Sequence, residues 1–175
     1  ASNRKGLGDK VKLFDDGTLD AQGKDIVVIG GGDTAMDCVR TAIRQQAKSV
    51  KCLYRRDREN MPGSTREVAN AIEEGVEFVW LTAPKKFIGD EAIKEVQVNR
   101  MKLGLADSSG RKKPEVEENS EYNIKADIVI KSLGFDPENL PKLFSTPELI
   151  VSRWGTIKID LDTMQTNIDG VFAAG

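Results

Sequence analysis

The sequence predicts an α/β fold: a parallel sheet flanked by helices, with an antiparallel β-meander set into it. Three observations carry that expectation. Four apolar β-formers, Ile26 to Ile29, run straight into three glycines, Gly30 to Gly32. A helix-period pattern of Ala35, Met36, Val39, Ala42, Ile43 and Ala47 follows at once. A second apolar strand, Ser49 to Tyr54, comes next, so a helix links two strands and they should lie parallel. Strand, glycine turn and helix N-terminus, in that order, form the phosphate-cradling corner of a Rossmann-like sheet.

Each element has a local reason. Residues 1–23 are mostly polar and read as an N-terminal connector, with Val11, Leu13 and Phe14 able to pack part of it down. Strand one covers Asp25 to Ile29. The first helix runs from Asp33 to Gln46, with Asp33 or Thr34 near its N-cap. Ser64 or Thr65 can cap a second helix with Val68, Ala69 and Ile72 on one face, ended by Gly75. Val76 to Leu81 completes a β-α-β-α-β half. Lys85–Ile88, Ala92–Lys102 and Glu121–Lys125 then read as antiparallel strands, the first turn being Gly89-Asp90.

The charged stretch Ala106 to Ser120 reads as a solvated hairpin loop. Asp127 to Ile130 returns to the parallel sheet, and Pro137 breaks the chain after it. Pro141 to Thr166 is loop-like, with a short strand at Thr156 to Ile159. The expected organisation is therefore a connector at 1–23, a nucleotide-binding domain at 24–136 and a second connector at 137–175. That last segment closes on the apolar Val171-Phe172-Ala173-Ala174 before Gly175, which predicts a piece of a longer protein.

Composition excludes several functions. The 175 residues carry a net charge of −2, which gives a nucleic-acid partner no electrostatic support. No apolar run approaches the ~20 residues of a membrane span. No signal-peptide pattern opens the chain, so a cytoplasmic protein is expected. Cys38 and Cys52 lack C-x-x-C spacing, which argues against zinc, an iron–sulfur cluster or a thioredoxin-reductase-like disulfide within this chain, and both read as buried free thiols. There is no histidine, so a His base or His metal ligand is excluded. No residue stands out as catalytic, and none as a metal ligand.

The corner has the spacing G-x-G-x-x-A from Gly30, Gly32 and Ala35. Gly30 permits the sharp turn, Gly32 permits close approach of a pyrophosphate, and Ala35 permits close helix–sheet packing. The end of the second strand meets the adenosine ribose in this fold. Here it reads Tyr54-Arg55-Arg56, with the acidic Asp57 one position beyond. Two guanidiniums favour the 2′-phosphate of NADP over the 2′-OH of NAD. The alternative, two arginines merely solvated at a strand exit, is disfavoured by the glycine corner nearby. Arg40 is expected on the solvent face of the first helix.

Five segments in order resemble one family across nearly the whole chain. They are Ile29-Gly30-Gly31-Gly32-Asp33-Thr34-Ala35-Met36-Asp37-Cys38, Tyr54-Arg55-Arg56, Asn60-Met61-Pro62-Gly63-Ser64, Ile130-Lys131-Ser132-Leu133-Gly134-Phe135 and Gly170-Val171-Phe172-Ala173-Ala174-Gly175. They look like the small (β) subunits of NADPH-dependent glutamate synthase and related electron-entry subunits. The resemblance implies the NADPH-binding domain of a two-dinucleotide-binding (FAD/NAD(P)) flavoprotein fold. It implies that NADPH gives hydride to FAD. Electrons would then pass through iron–sulfur clusters outside this chain to a large (α) subunit, which makes glutamate from glutamine and 2-oxoglutarate.

Carried over by residue, Gly31, Gly32, Asp33 and Thr34 would meet the pyrophosphate, with Gly30 forming the turn. Arg55 and Arg56 would hold the 2′-phosphate. Ser132, Leu133 and Gly134 would lie against the nicotinamide half, and Gly170 to Gly175 would begin a flavin-contacting segment. The family's FAD glycine motif and cluster cysteines are absent here, so this chain alone is expected to bind NADPH weakly and catalyse nothing. Two alternatives remain: an electron-entry subunit of the same family serving another acceptor, and a non-catalytic NADP-sensing module.

Overall fold

In a computed structural model, residues 17, 19–106, 112–134 and 137–174 are described. The expectations for Val11, Leu13, Phe14, Phe135 and Gly175 lie outside the described residues, as do residues 107–111 of the 106–120 segment. The chain divides into two compact units, residues 1–133 and 134–175.

The first unit is layered around a parallel sheet. Strand β1 (Asp25–Ile29) pairs with β2 (Ser49–Leu53), and β2 pairs with β3 (Glu77–Val79). On its other edge β1 pairs with β8 (Ile128–Lys131), giving the order β3-β2-β1-β8. Helix α1 (Asp33–Arg44) connects β1 to β2, and α2 (Thr65–Glu73) connects β2 to β3. All five residues of β1 are buried, as a strand covered on both faces requires.

Alternation along β1 sorts its side chains into two cores. Ile26 and Val28 pack with Met36, Val39 and Ala42 of α1 and with Val68 and Ala71 of α2. Val27 and Ile29 pack on the opposite face with Leu53, Val96, Val98 and Ile124. The second group includes the antiparallel meander: β4 (Thr82–Ile88), β5 (Glu95–Ala106), β6 (Lys112–Val116) and β7 (Tyr122–Lys125). β5 is its spine. It pairs with β4 along Glu95 to Arg100 and with β7 along Glu95 to Val98; its far half pairs with β6.

Several expectations need correction. The segment read as a solvated loop contains strand β6, and Leu103 to Ala106 extend β5 beyond the expected Lys102 to meet it. Cross-strand pairing supplies what a local charge pattern cannot reveal. The third strand stops at Val79, because Leu81 takes a left-handed conformation (φ 49°) and turns the chain into β4. Arg40 is only partly exposed: it ion-pairs with Glu67, and with Glu74 at 2.7 Å, tying α1 to α2. Cys52 is buried but Cys38 is only partly so, and both thiols are free.

Asp25 closes the bottom of the sheet. Its side chain accepts from Ser49 Oγ at 2.7 Å and sits 2.8 Å from Lys125 Nζ. The Lys125 ammonium, aided by Ser49, holds this carboxyl below its ordinary value.

The second unit is small and irregular. Its one described helix, α3 (Leu140–Leu143), is capped by Asn139, whose side chain accepts from the Lys142 N–H at 3.2 Å. The short strand expected at Thr156 to Ile159 reduces to an isolated bridge, Val151 with Ile157, and Phe172 makes another with Gln165. Leu149 and Thr166 are its buried residues, while Phe144, Trp154, Leu161 and Phe172 stay exposed.

Candidate functional site

Register brings three strand ends level. Ile29 pairs with Leu53 on one side and with Lys131 on the other. The residues that follow, Gly30, Tyr54 and Ser132, therefore meet at the carboxyl edge of the parallel sheet, where ligands bind in this architecture.

The three glycines answer to different neighbours. Gly30 has φ 147°, and a Cβ there would lie 2.2 Å from the Ser132 carbonyl oxygen. A Cβ on Gly31 would lie 2.4 Å from the Tyr54 ring. A Cβ on Gly32 would meet nothing within 4 Å. Gly30 and Gly31 are thus required by the protein's own packing, and Gly32 is not. Gly32 is the N-cap of α1 with extended backbone, and no side chain caps the helix. Ala35 and Met36 donate to the Gly32 carbonyl at 2.9 and 3.2 Å, so the helical ladder starts there. The N–H groups of Asp33 and Thr34 stand ahead of it, at the positive end of the helix dipole.

The loop at Asn60 to Ser64 braces this corner. Gly63 N–H donates to the Gly31 carbonyl at 2.8 Å, and Ser64 N–H donates to Asp33 Oδ1 at 3.1 Å. Tyr54 links the two parts: its ring covers Gly31, and its hydroxyl donates to the Asn60 carbonyl at 2.8 Å. Asp57 Oδ1 accepts from the Asn60 N–H and Nδ2 at 2.9 and 2.6 Å, which orders the loop. The Pro62-Gly63 pair was the signal that could have exposed this turn.

The two arginines differ. Arg55 is exposed at the strand end. Arg56 is buried, and its Nε donates to the Lys112 carbonyl at 3.2 Å. Ser132 is half-buried against Gly30; its N–H donates to the Ile29 carbonyl at 2.8 Å, and its hydroxyl lies 3.5 Å from Cys38 Sγ. Leu133 is exposed, and Gly134 opens the second unit with φ 85°. Gly30 to Thr34, Tyr54 to Arg56 and Ser132 thus share one unit. Burial pushes the Cys52 thiol up to about 12. Among the described residues no His, Cys, Asp and Glu group could hold a metal ion, and no helix is long and apolar enough to cross a membrane.

Residues 3–175 match the family described as pyridine nucleotide-disulphide oxidoreductase. The chain belongs to this family. It is 62% identical over 174 residues to the glutamate synthase (NADPH) small chain of Azospirillum brasilense, covering 99% of this chain and 36% of that protein. It is 49% identical to the protein of the same name from Escherichia coli, covering 79% of this chain and 30% of that protein. The chain therefore spans about a third of the length of these relatives. The thioredoxin reductase of T. acidophilum matches with a TM-score of 0.69 at 20% identity, over 93% of this chain and 46% of that one, a likeness of fold. These comparisons agree with the α/β parallel sheet plus antiparallel strands expected from the sequence.

Proposed function

We propose that this chain is the NADPH-binding part of a cytoplasmic flavoprotein subunit of NADPH-dependent glutamate synthase. In the whole protein NADPH would pass hydride to FAD. Electrons would then cross iron–sulfur clusters held outside this chain to a large subunit that makes glutamate from glutamine and 2-oxoglutarate. The 62% identity to a glutamate synthase small chain supports that assignment over another acceptor in the same family.

The open space at Gly32 is the observation that carries the nucleotide site. The protein's own atoms leave vacant the place where a side chain would stand, at the start of α1. A pyrophosphate fits there, against the N–H groups of Gly32, Asp33 and Thr34. Arg55 and Arg56 would take the 2′-phosphate. Asp57, the acid that follows the two arginines, has its Oδ1 engaged by Asn60. Ser132 and Leu133, one strand over, would border the nicotinamide half, with Gly134 following them in the chain. The bound NADPH supplies the hydride; this chain's residues bind and orient it.

The flavin is a different case. The described part of the second unit has no strand–glycine–helix corner, so its residues alone do not make a flavin site.

Isothermal titration of the protein with NADPH and NADH tests the site. Tighter binding of NADPH is expected. Equal affinities would remove the 2′-phosphate assignment.

A further inference from the structure

Arg56 is an unusual place to find a cation. It is 7% exposed, and among the described residues no carboxylate pairs with it. A guanidinium carries five N–H donors. Its side chain spends one of them within the described protein, from Nε to the carbonyl oxygen of Lys112 at the start of β6. Burying a charge without a counter-charge is costly, and arginine cannot escape by losing its proton. An arriving anion would complete such a group.

The meander holds this residue at two points. The Arg56 carbonyl accepts from the Leu81 N–H at 3.0 Å, and the Leu81 carbonyl accepts from the Met101 N–H at 2.7 Å. The side chain is then fixed by β6, which is itself registered on β5 through Met101 with Val116 and Leu103 with Pro114. Strand β2 delivers the arginine, and a hairpin more than 50 residues away in sequence sets its direction.

We propose that the β5–β6 hairpin is a cofactor-specificity element, in which the Lys112 carbonyl orients Arg56 so that its free donors meet the 2′-phosphate of NADPH. This rests on the assignment of Arg55 and Arg56 to that phosphate. Lys112 acts through Arg56 and is a positioning residue. Fixing the guanidinium plane in advance lowers the ordering cost of a two-pronged contact with phosphate. The benefit falls mainly on NADPH, because NADH carries only an uncharged 2′-hydroxyl at that place.

The test is the ratio of NADPH to NADH affinity in the full-length protein, measured by titration. Three variants are compared: Arg56→Ala, Arg56→Lys, and a shortened hairpin in which residues 105–113 give way to Asn-Gly. Each is expected to lower the ratio about tenfold or more, the worth of a charge-assisted hydrogen bond. Combining Arg56→Ala with the short hairpin should lower it no further. Arg56→Lys keeps the charge but loses the planar fork in which Nε holds the Lys112 carbonyl while the other nitrogens face a phosphate, so it tests the anchoring even where the short hairpin fails to fold. A wild-type ratio in Arg56→Lys or in the short hairpin, alongside a reduced one in Arg56→Ala, overturns the hairpin's role and leaves the phosphate site standing. An unchanged ratio in Arg56→Ala overturns both. Equal loss of NADPH and NADH binding in the short hairpin also overturns the proposal, since it marks general damage.

Discussion

Replacing Gly32 and Gly31 by alanine, one at a time, separates what the nucleotide needs from what the fold needs. At Gly32 the backbone is extended (φ −92°, ψ 179°), a conformation open to any residue, and the new Cβ meets nothing within 4 Å. Alanine there gains about 0.4–1 kcal/mol by restricting the unfolded chain. It loses a similar amount, about 0.5–1 kcal/mol, as a poorer N-cap. Stability should therefore stay within ~0.5 kcal/mol of the parent. At Gly31 the new Cβ falls 2.4 Å from the Tyr54 ring. That ring is buried, sits edge-on to Trp80, and is tethered through its hydroxyl to Asn60, so it cannot simply swing away. Overpacking together with the lost hydroxyl bond should cost about 2–4 kcal/mol. Urea unfolding followed by circular dichroism reads the stabilities, and isothermal titration reads the affinities. Gly32→Ala should unfold like the parent yet bind NADPH at least about tenfold more weakly, ~1.4 kcal/mol, because its methyl occupies the pyrophosphate's place. A Gly32→Ala protein that binds NADPH at full strength would refute the placement of the phosphates. One that unfolds as readily as Gly31→Ala would refute the packing argument.

Other outcomes follow from single contacts. Asp25→Ala should destabilise the protein by about 1–3 kcal/mol, since it removes a charge-assisted bond to Lys125 and one to Ser49. The Asp25 carboxyl is held below its ordinary 3.8, so its contribution is complete above that value and fades as pH falls through the lower folded-state value. Urea titrations of parent and Asp25→Asn should therefore differ at pH 7 and converge in strong acid; a constant gap would contradict this. Tyr54→Phe keeps the ring over Gly31 but drops the hydroxyl bond to Asn60, for a loss near ~1 kcal/mol in the same assay. No loss would mean the hydroxyl is satisfied equally well by water. Cys52, its thiol pushed up to about 12 by burial, should resist iodoacetamide at pH 8 until denaturant is added, as judged by peptide mass mapping. Labelling of Cys52 in the native protein would show that β2 opens.

The elements that were legible in the sequence are those whose signal is local. The run Ile26 to Gly32 shows its strand and turn within seven residues, and the helix period after it is equally short in range. These short-range patterns favour the parallel order of β1 and β2, because a helix packed on the sheet returns the chain to the end at which β1 began. Strand β6 was not legible, because Lys112, Lys113 and Glu115 satisfy water as readily as a sheet edge. What makes them a strand is pairing with Met101 to Ala106. Arg40 was misplaced for a related reason: its two partners lie 27 and 34 residues away on α2 and just beyond it.

Within the corner the same division holds. The sequence by itself determined that a glycine turn joins β1 to α1 and that two arginines end β2, since residue type and spacing are enough for both. Only the tertiary structure decided that Gly31 is required by Tyr54 while Gly32 is left open. It also decided that Arg55 stands in water while Arg56 is buried under a hairpin 56 residues further along the chain. The physical reason is burial: identical neighbours in sequence acquire different roles once distant strands take the water away from one of them.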